Sequence, residues 1–273
     1  MILLNANEKP PSFHQHSWRL ALFFFLALFL LAACGASESH PAPATLTYEI
    51  LETHPHDSNT FTQGLVVHNG VITEVSGLYA KSFVVQYRAD NGEVLKRLAL
   101  PRDIFAEGVT LFDGRLYMLT WHNEKAYVFD AQSLSQETIL TYTGEGWGIT
   151  HDGKHLITSD GSDTLSFRQP QDFSVVKRIS VNGGSQSWRL LNELEYAQGF
   201  IWANVWQTPY ILAIRPTDGS LAGILNLTEL ERANNHRPGE SVLNGIAYDA
   251  ATDSFWITGK LWPNRYRIRI KQP

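Results

Sequence analysis

A pattern of short strands recurring at intervals in the forties of residues constrains this chain more than any other feature. The registers "TQGLVVHNGVITEVSG" from Thr62, "AEGVTLFDGRLYMLTW" from Ala106, "GWGITHDGKHLITSDG" from Gly146, "NELEYAQGFIWANVW" from Asn192 and "NGIAYDAATDSFWITGK" from Asn244 share one layout. Each opens with a polar residue beside glycine or another short motif, runs into a strand, turns and runs back. The runs are rich in β-branched and aromatic residues. They are punctuated by turn pairs such as Asn69-Gly70, Asn91-Gly92, Asp113-Gly114, Asp152-Gly153 and Asp218-Gly219, the signals that end strands and close hairpins. A third strand follows each of the first four registers ("VVQYRADNGE", "AYVFDAQSL", "LSFRQPQDF", "ILAIRPTDG"), and then a fourth. Four strands per unit at this period are the mark of a β-propeller blade. The expected fold is therefore all-β, a five-bladed β-propeller. The last register supplies three strands, and "TLTYEILE" near Leu46 completes it, so that the two ends of the domain share one blade and no sheet edge is left open. Helical periodicity is confined to "LTELERANN", Leu227 to Asn235.

The amino-terminal part follows a different rule. Arg19 precedes an apolar run from Leu20 to Ala33, and small residues surround Cys34. This is the layout of an export signal, and the run is short of the ~20 residues of a membrane span. "LAAC" resembles the lipobox of bacterial lipoproteins, in which the cysteine becomes the lipidated new N-terminus. Cys34 is the single cysteine of the chain, so no intramolecular disulfide can form. The domain reading is a signal peptide over 1–33, a flexible tether over 34–45 that starts at lipidated Cys34, and the propeller over 46–273. Gly35 after the cysteine is not the acidic residue that would retain a lipoprotein at the inner membrane. The expected location is thus periplasm-facing or cell-surface, on the outer membrane where one exists. A net charge of −5 excludes an electrostatic footprint for nucleic acid.

In a propeller the first strands line a central channel, and the residues that open them meet at one mouth. Here these are Gln63, Glu107, Glu145 with Trp147, Asn192 with Glu193, and Asn244. The second strands return to the same mouth at Thr120-Trp121, Ser159-Asp160, Asn204 with Trp206, and Gly259-Lys260. Carboxylates, carboxamides, one lysine and several indoles suit a polar ligand with a small apolar shell. The same residues can equally hold water, and the indoles can pack between blades. The sequence has no HExxH, no cysteine–histidine set, no phosphate-loop ending and no GxSxG. "HPHD", His54 to Asp57, reads as a solvated loop. No metal site is expected, and acid–base chemistry is favoured over covalent catalysis.

In order along the chain, "FTQGL", "FAEGVT", "LTW", "EGWGIT", "SDGS", "LNELE", "ANVW", "LNGIAYD" and "TGKLWP" resemble the plant-type glutaminyl cyclases, a family with bacterial members. The resemblance runs from about Tyr48 to Ile270 and implies a five-bladed propeller. It implies conversion of an N-terminal glutamine of a peptide or protein to pyroglutamate, with release of ammonia. It makes Glu107 the proton shuttle, with Gln63, Asn192 and Lys260 polarising the γ-amide carbonyl. Phe61, Phe105, Trp121, Trp147 and Trp206 become an aromatic box around the substrate's aliphatic part. It implies no cofactor for catalysis, allows a structural calcium, and a monomer is expected. Glu145, Glu193, Glu195 and Asp160 receive no assigned role: they neutralise the lysine, bind the α-ammonium or satisfy loop amides. The rivals are a non-catalytic propeller that binds a peptide or protein, and a metal-dependent lactonase-type propeller.

Overall fold

A computed structural model describes residues 42–183 and 186–271. The stretch read as a signal peptide, Cys34 and the expected tether up to residue 41 lie outside the described residues. Strand β1 (Ala44–Pro55) begins two residues before the expected domain start. It is followed by β2 (Thr62–His68), β3 (Val71–Ser76), β4 (Phe83–Arg88) and β5 (Val94–Ala99), then by β6 (Ala106–Phe112), β7 (Arg115–Thr120), β8 (Lys125–Asp130) and β9 (Gln136–Thr141). Next come β10 (Ile149–His151), β11 (Leu156–Thr158), β12 (Thr164–Arg168) and β13 (Val175–Ser180), and a two-strand extension, β14 (Asn182–Gly183) with β15 (Gln186–Ser187). The chain closes with β16 (Leu191–Ala197), β17 (Phe200–Val205), β18 (Tyr210–Ile214), β19 (Leu221–Asn226), helix α1 (Thr228–Asn234), β20 (Leu243–Asp249), β21 (Ser254–Gly259) and β22 (Asn264–Lys271).

The fold is all-β. Strands β2–β5, β6–β9 and β10–β13 form three four-stranded antiparallel sheets. The last two groups join into one eight-stranded sheet ordered β16-β17-β18-β19-β1-β22-β21-β20. As the sequence implies, β1 completes the final group, pairing antiparallel with β22 from Thr47↔Lys271 to Pro55↔Asn264. It does one thing more: Ala44–Leu46 pair parallel with Gly223–Leu225 of β19, which fuses two groups into one sheet.

Local chemistry sets the hairpins. Asn69-Gly70 and Asp113-Gly114 both have φ positive at the two central positions (49° and 73°, 51° and 74°). That is the turn whose twist matches antiparallel strands. Gln198-Gly199 makes the same turn (54° and 82°) without a sequence signal as strong as Asn-Gly.

Burial falls from the inside outward. Strand β21 is buried along its whole length, whereas β5 and β9 are almost wholly exposed. The apolar clusters lie between successive strand groups. One packs Val75 and Val84 against Val109, Leu116 and Met118, and another packs Leu65, Ile72 and Val85 against Ala247 and Trp256. First strands touch in a closed cycle, β2 to β6, β6 to β10, β10 to β16, β16 to β20 and β20 back to β2. The opening residues of every group are thereby brought to one centre.

Candidate active site

A slip in strand pairing aims the polar side chains inward. Pairing shifts between Thr62 and Gly64 in β2, Ala106 and Val109 in β6, Leu191 and Leu194 in β16, and Leu243 and Ile246 in β20. An extra residue of this kind bends the strand and redirects a side chain. Gln63, Glu107, Asn192 and Asn244 sit in these slips, and all four are buried. The residue that follows faces the neighbouring strand group at close range. A Cβ on Gly108 would stand 2.7 Å from the Trp147 carbonyl oxygen, and one on Gly148 2.0 Å from that of Asn192. Glycine is required there because backbone meets backbone.

Strand β16 departs from that rule, with Glu193 where the others carry glycine. Its carboxylate spans the centre: Oε1 accepts the Leu65 N–H at 3.1 Å and Oε2 the Ile246 N–H at 2.8 Å. Glu193 thus ties β16 to β2 and β20. Burial pushes its carboxyl well above the ordinary range, against the pull of those two bonds. Burial also raises Glu195, to about 8, with the Tyr248 N–H opposing. Both acids serve backbone amides.

The second strands end at the same mouth with a left-handed residue: Leu78 (φ 86°), Gly161 (78°), Gln207 (65°) and Leu261 (59°). The chain turns sharply just after Trp206 and Lys260, which projects both into the centre. At the matching position of the first group stands Gly77, where a Cβ would meet the Phe105 ring at 2.5 Å. The absent side chain makes room for an aromatic wall.

These elements enclose a cavity of about 260 Å³ lined by Phe61, Gln63, Leu78, Phe105, Glu107, Trp121, Trp147, Asn192, Trp206 and Lys260. All nine residues that the resemblance gives to the catalytic set and the aromatic box are brought together. Leu78 is the addition, and only its backbone conformation, invisible in a residue string, marks it. Asn244 donates to the Thr62 carbonyl (3.0 Å) and to Gln63 Oε1 (3.3 Å), and Gln63 Nε2 donates to Glu107 Oε1 at 3.0 Å. Asn192 Oδ1 is buried with no partner among the described residues. The Lys260 ammonium lies 4.8 Å from the Phe61 ring centre and 6.0 Å from that of Trp206. Phe61, Phe105 and Trp121 follow one another edge to face at 6.4 and 5.3 Å, and Trp147 meets Trp206 at 5.6 Å and 90°.

Burial sets the electrostatics. It raises the Glu107 carboxyl well above the carboxylate range, with the Lys260 charge opposing and the Glu145 charge adding. It lowers Lys260 to about 8, although Glu107 pulls upward. Burial thus favours the uncharged form of both groups, lifting the acid and lowering the base, the direction in which sites tune groups for proton transfer.

The remaining candidates separate. Asp160 stays outside this cavity, where Oδ1 accepts the Ser162 N–H (3.0 Å) and hydroxyl (2.5 Å) in a tight turn. Glu145 Oε2 accepts both the Trp121 and the Trp147 indole N–H at 2.8 Å. The "HPHD" stretch is not a solvated loop throughout. His54 belongs to β1, and the His56 side chain is only 3% exposed, with Nε2 2.9 Å from Glu74 and Nδ1 donating to the Trp262 carbonyl at 2.7 Å. The described residues contain no group of three or more His, Cys, Asp or Glu placed to hold a metal.

A small, largely apolar cavity lined by one acid, one cation and two carboxamides, carried on an all-β frame, defines an acid–base pocket for a compact polar group. The chain belongs to the glutamine cyclotransferase family, whose model matches residues 24–270. It is 40% identical over 231 residues to a glutaminyl-peptide cyclotransferase of Arabidopsis thaliana, covering 82% of this chain and 71% of that protein. The crystal structure of Myxococcus xanthus glutaminyl cyclase superimposes with a TM-score of 0.78 at 34% identity, over 84% of this chain and 98% of that one.

Proposed function

We propose that this protein is a glutaminyl-peptide cyclotransferase, and that its frame is a five-bladed β-propeller whose last blade is closed by β1. Family membership supports the activity. The closed cycle of first-strand contacts supports the architecture. The observation that carries the mechanism is the single cavity in which Glu107, Gln63, Asn192 and Lys260 meet the five aromatic residues.

The aromatic walls hold the methylene part of an N-terminal glutamine, and its γ-amide carbonyl points at the Asn192 amide and the Lys260 ammonium. The α-nitrogen attacks the amide carbon, and negative charge builds on the carbonyl oxygen, where those donors stabilise it. Attack is intramolecular, so the pocket has mainly to hold a reactive conformer. Glu107 takes the proton that the α-nitrogen sheds and delivers it to the amide nitrogen. Ammonia leaves, pyroglutamate remains and the carboxylate is restored. The resemblance gives Gln63 a share in polarising the carbonyl; we assign it instead to holding Glu107, because its Nε2–H is donated to Glu107 Oε1 and its Oε1 accepts from Asn244. Excluding water strengthens each of these contacts.

No cofactor takes part in this scheme. The structural calcium that the resemblance allows finds no acid cluster among the described residues: both Glu193 oxygens already accept N–H groups. No step is assigned to it. The working unit is taken as a monomer: one chain carries the whole cavity, so the site needs no residue from a second copy. Among the described residues no helix is long and apolar enough to cross a membrane. Attachment is assigned to lipid on Cys34, with the domain facing the periplasm or cell surface, at the outer membrane where there is one.

The test is ammonia release from a Gln-initiated dipeptide by the purified protein, with and without chelator. Turnover is expected in both, and Glu107→Gln is expected to remove it with the fold intact. Ammonia at the spontaneous rate from the native protein would leave a peptide-binding module. Native-like turnover by Glu107→Gln would remove Glu107 from the mechanism.

A further inference from the structure

The aromatic wall of the cavity has two breaks. Phe61, Phe105 and Trp121 form one edge-to-face run, and Trp147 with Trp206 forms the other. Lys260 spans the first break, lying over both Phe61 and Trp206. The second break, between Trp121 and Trp147, is spanned by Glu145, a residue outside the cavity lining.

We infer that Glu145 is a positioning residue, which fixes the two indoles through a shared carboxylate and so sets the width of the substrate box. The reading rests on the proposed cyclotransferase function. One oxygen, Oε2, accepts both indole N–H groups at 2.8 Å. An indole nitrogen only donates, so each ring loses its rotational freedom to one acceptor, and neither can shift without disturbing the other. The loop that carries the carboxylate is itself pinned by its main chain. The next residue, Gly146, donates its N–H to the Trp121 carbonyl at 3.2 Å, and Trp147 donates its own to the Ser159 carbonyl at 3.1 Å. Gly146 must be glycine, because a Cβ there would sit 2.1 Å from the Tyr142 hydroxyl oxygen. Trp121 is therefore gripped at both ends, main chain and indole, by consecutive residues of one loop. On its other side His122 stacks on the Trp121 ring, with centroids 3.9 Å apart, and its Nδ1 lies 3.7 Å from Glu145 Oε1. The second indole has a backing too: a Cβ on Gly161 would lie 2.7 Å from the Trp147 ring, so Trp147 is seated against main chain. The charged and titratable groups around the clamp are His122, Asp160 and Arg189 on the surface and Glu107 within.

The Glu145 side chain is 42% exposed, so its removal leaves the core packing alone, and a loss of function need not follow from a loss of fold. Glutamine keeps an acceptor oxygen in the same place, whereas alanine removes it. For Glu145→Ala the KM for a Gln-initiated dipeptide is expected to rise about tenfold, equivalent to about 1.4 kcal/mol, with kcat changed less and thermal stability unchanged. Glu145→Gln should restore most of the KM. The second readout needs no turnover: the Nε1–H NMR signals of Trp121 and Trp147, assigned with Trp121→Phe and Trp147→Phe, should move together in Glu145→Ala and stay near their native positions in Glu145→Gln. Unmoved indole signals in Glu145→Ala overturn the clamp, as does a Glu145→Gln variant as impaired as the alanine. If the native protein released no ammonia, the indole signals would still decide the clamp, separately from the activity.

Discussion

Gly148→Ala tests whether close approach of main chains at the centre both holds the fold and places the site. The added Cβ would lie 2.0 Å from the Asn192 carbonyl oxygen, 2.8 Å from its carbonyl carbon and 2.9 Å from Glu193 Cα. Ordinary contact begins more than 1 Å further out, and every obstructing atom is backbone, so no side chain can swing aside. β10 and β16 must separate by about that distance. The separation strains the bridge in which the Ser159 hydroxyl donates to the Asn192 carbonyl at 2.6 Å and accepts the Gly148 N–H at 2.7 Å. Overpacking of this kind costs about 1–3 kcal/mol and occasionally more. With a bridge strained as well, about 3 kcal/mol is expected, or a fall in Tm of about 6–12 °C for a domain of this size. Asn192 moves with its backbone, and a misplacement of ~1 Å in a reacting site can cost ~100-fold in rate. Denaturant unfolding and kcat/KM measured on the same preparation provide the check. An alanine variant with native stability and native kcat/KM would refute the account of the glycines, and lost stability with intact kinetics would refute the link from this backbone contact to Asn192.

Three further outcomes follow from the same structure. Removing the Glu193 carboxylate with Glu193→Ala strands the Leu65 and Ile246 amides; at ~1–3 kcal/mol for each unsatisfied group, unfolding should be easier by about 2–6 kcal/mol in urea melts. Turnover should be bell-shaped in pH with a narrow top near 8, because the substrate amine must be neutral (ordinary pKa ~7.7–8.0) and Glu107, raised by burial, must be ionised, while Lys260, lowered to about 8, must keep its proton; a Lys260→Arg variant that retains turnover should lose the alkaline limb in a kcat/KM profile. Burial opposes charge on both His56 and Glu74, yet their mutual attraction, helped by hydrogen bonds from Thr62 and Tyr87 to Glu74 and from His56 to the Trp262 carbonyl, prevails, raising His56 and lowering Glu74. Their stabilisation is complete above the ordinary Glu value of 4.5 and below the ordinary His value of 6.5, and fades as pH rises through the raised His56 pKa or falls through the lowered Glu74 pKa. Thermal melts across pH should therefore show the native protein's advantage over His56→Gln greatest at about pH 5–6 and shrinking toward pH 9.

The parts of this protein that repeat were legible in its sequence, because each strand group solves the same packing problem with the same residue order. The openings at Gln63, Glu107 and Asn192 and the endings at Trp121, Trp206 and Lys260 could be read as one mouth before any coordinates, and they line one cavity. What stayed hidden depends on relations across groups. The role of Glu145 requires two indoles from different sheets to arrive at one oxygen. His56 looked like surface because its partner, Glu74, lies on another strand and satisfies it only in three dimensions. The parallel pairing of Ala44–Leu46 with β19 had no signal either, since a strand's sequence does not say how many neighbours it will have. Glu193 was visible as an acid near the channel, but its work is to stand where the repeat elsewhere needs glycine.

The order in which the strands are made has its own consequence for β1. It is the first described strand to leave the ribosome, yet its main partner, β22, is the last, so Thr47 waits for Lys271 while almost every other pairing is between strands adjacent in the chain. Contacts so distant in sequence form slowly. Until they do, the outer edges of β19 and β22 are unpaired templates of the kind that join to other chains. Maturation is thus expected to have one late, vulnerable interval, governed by how soon the carboxyl end becomes available. A chain stalled or clipped before Asn264 would hold much of its hydrogen-bonded structure while leaving its first strand without its main partner.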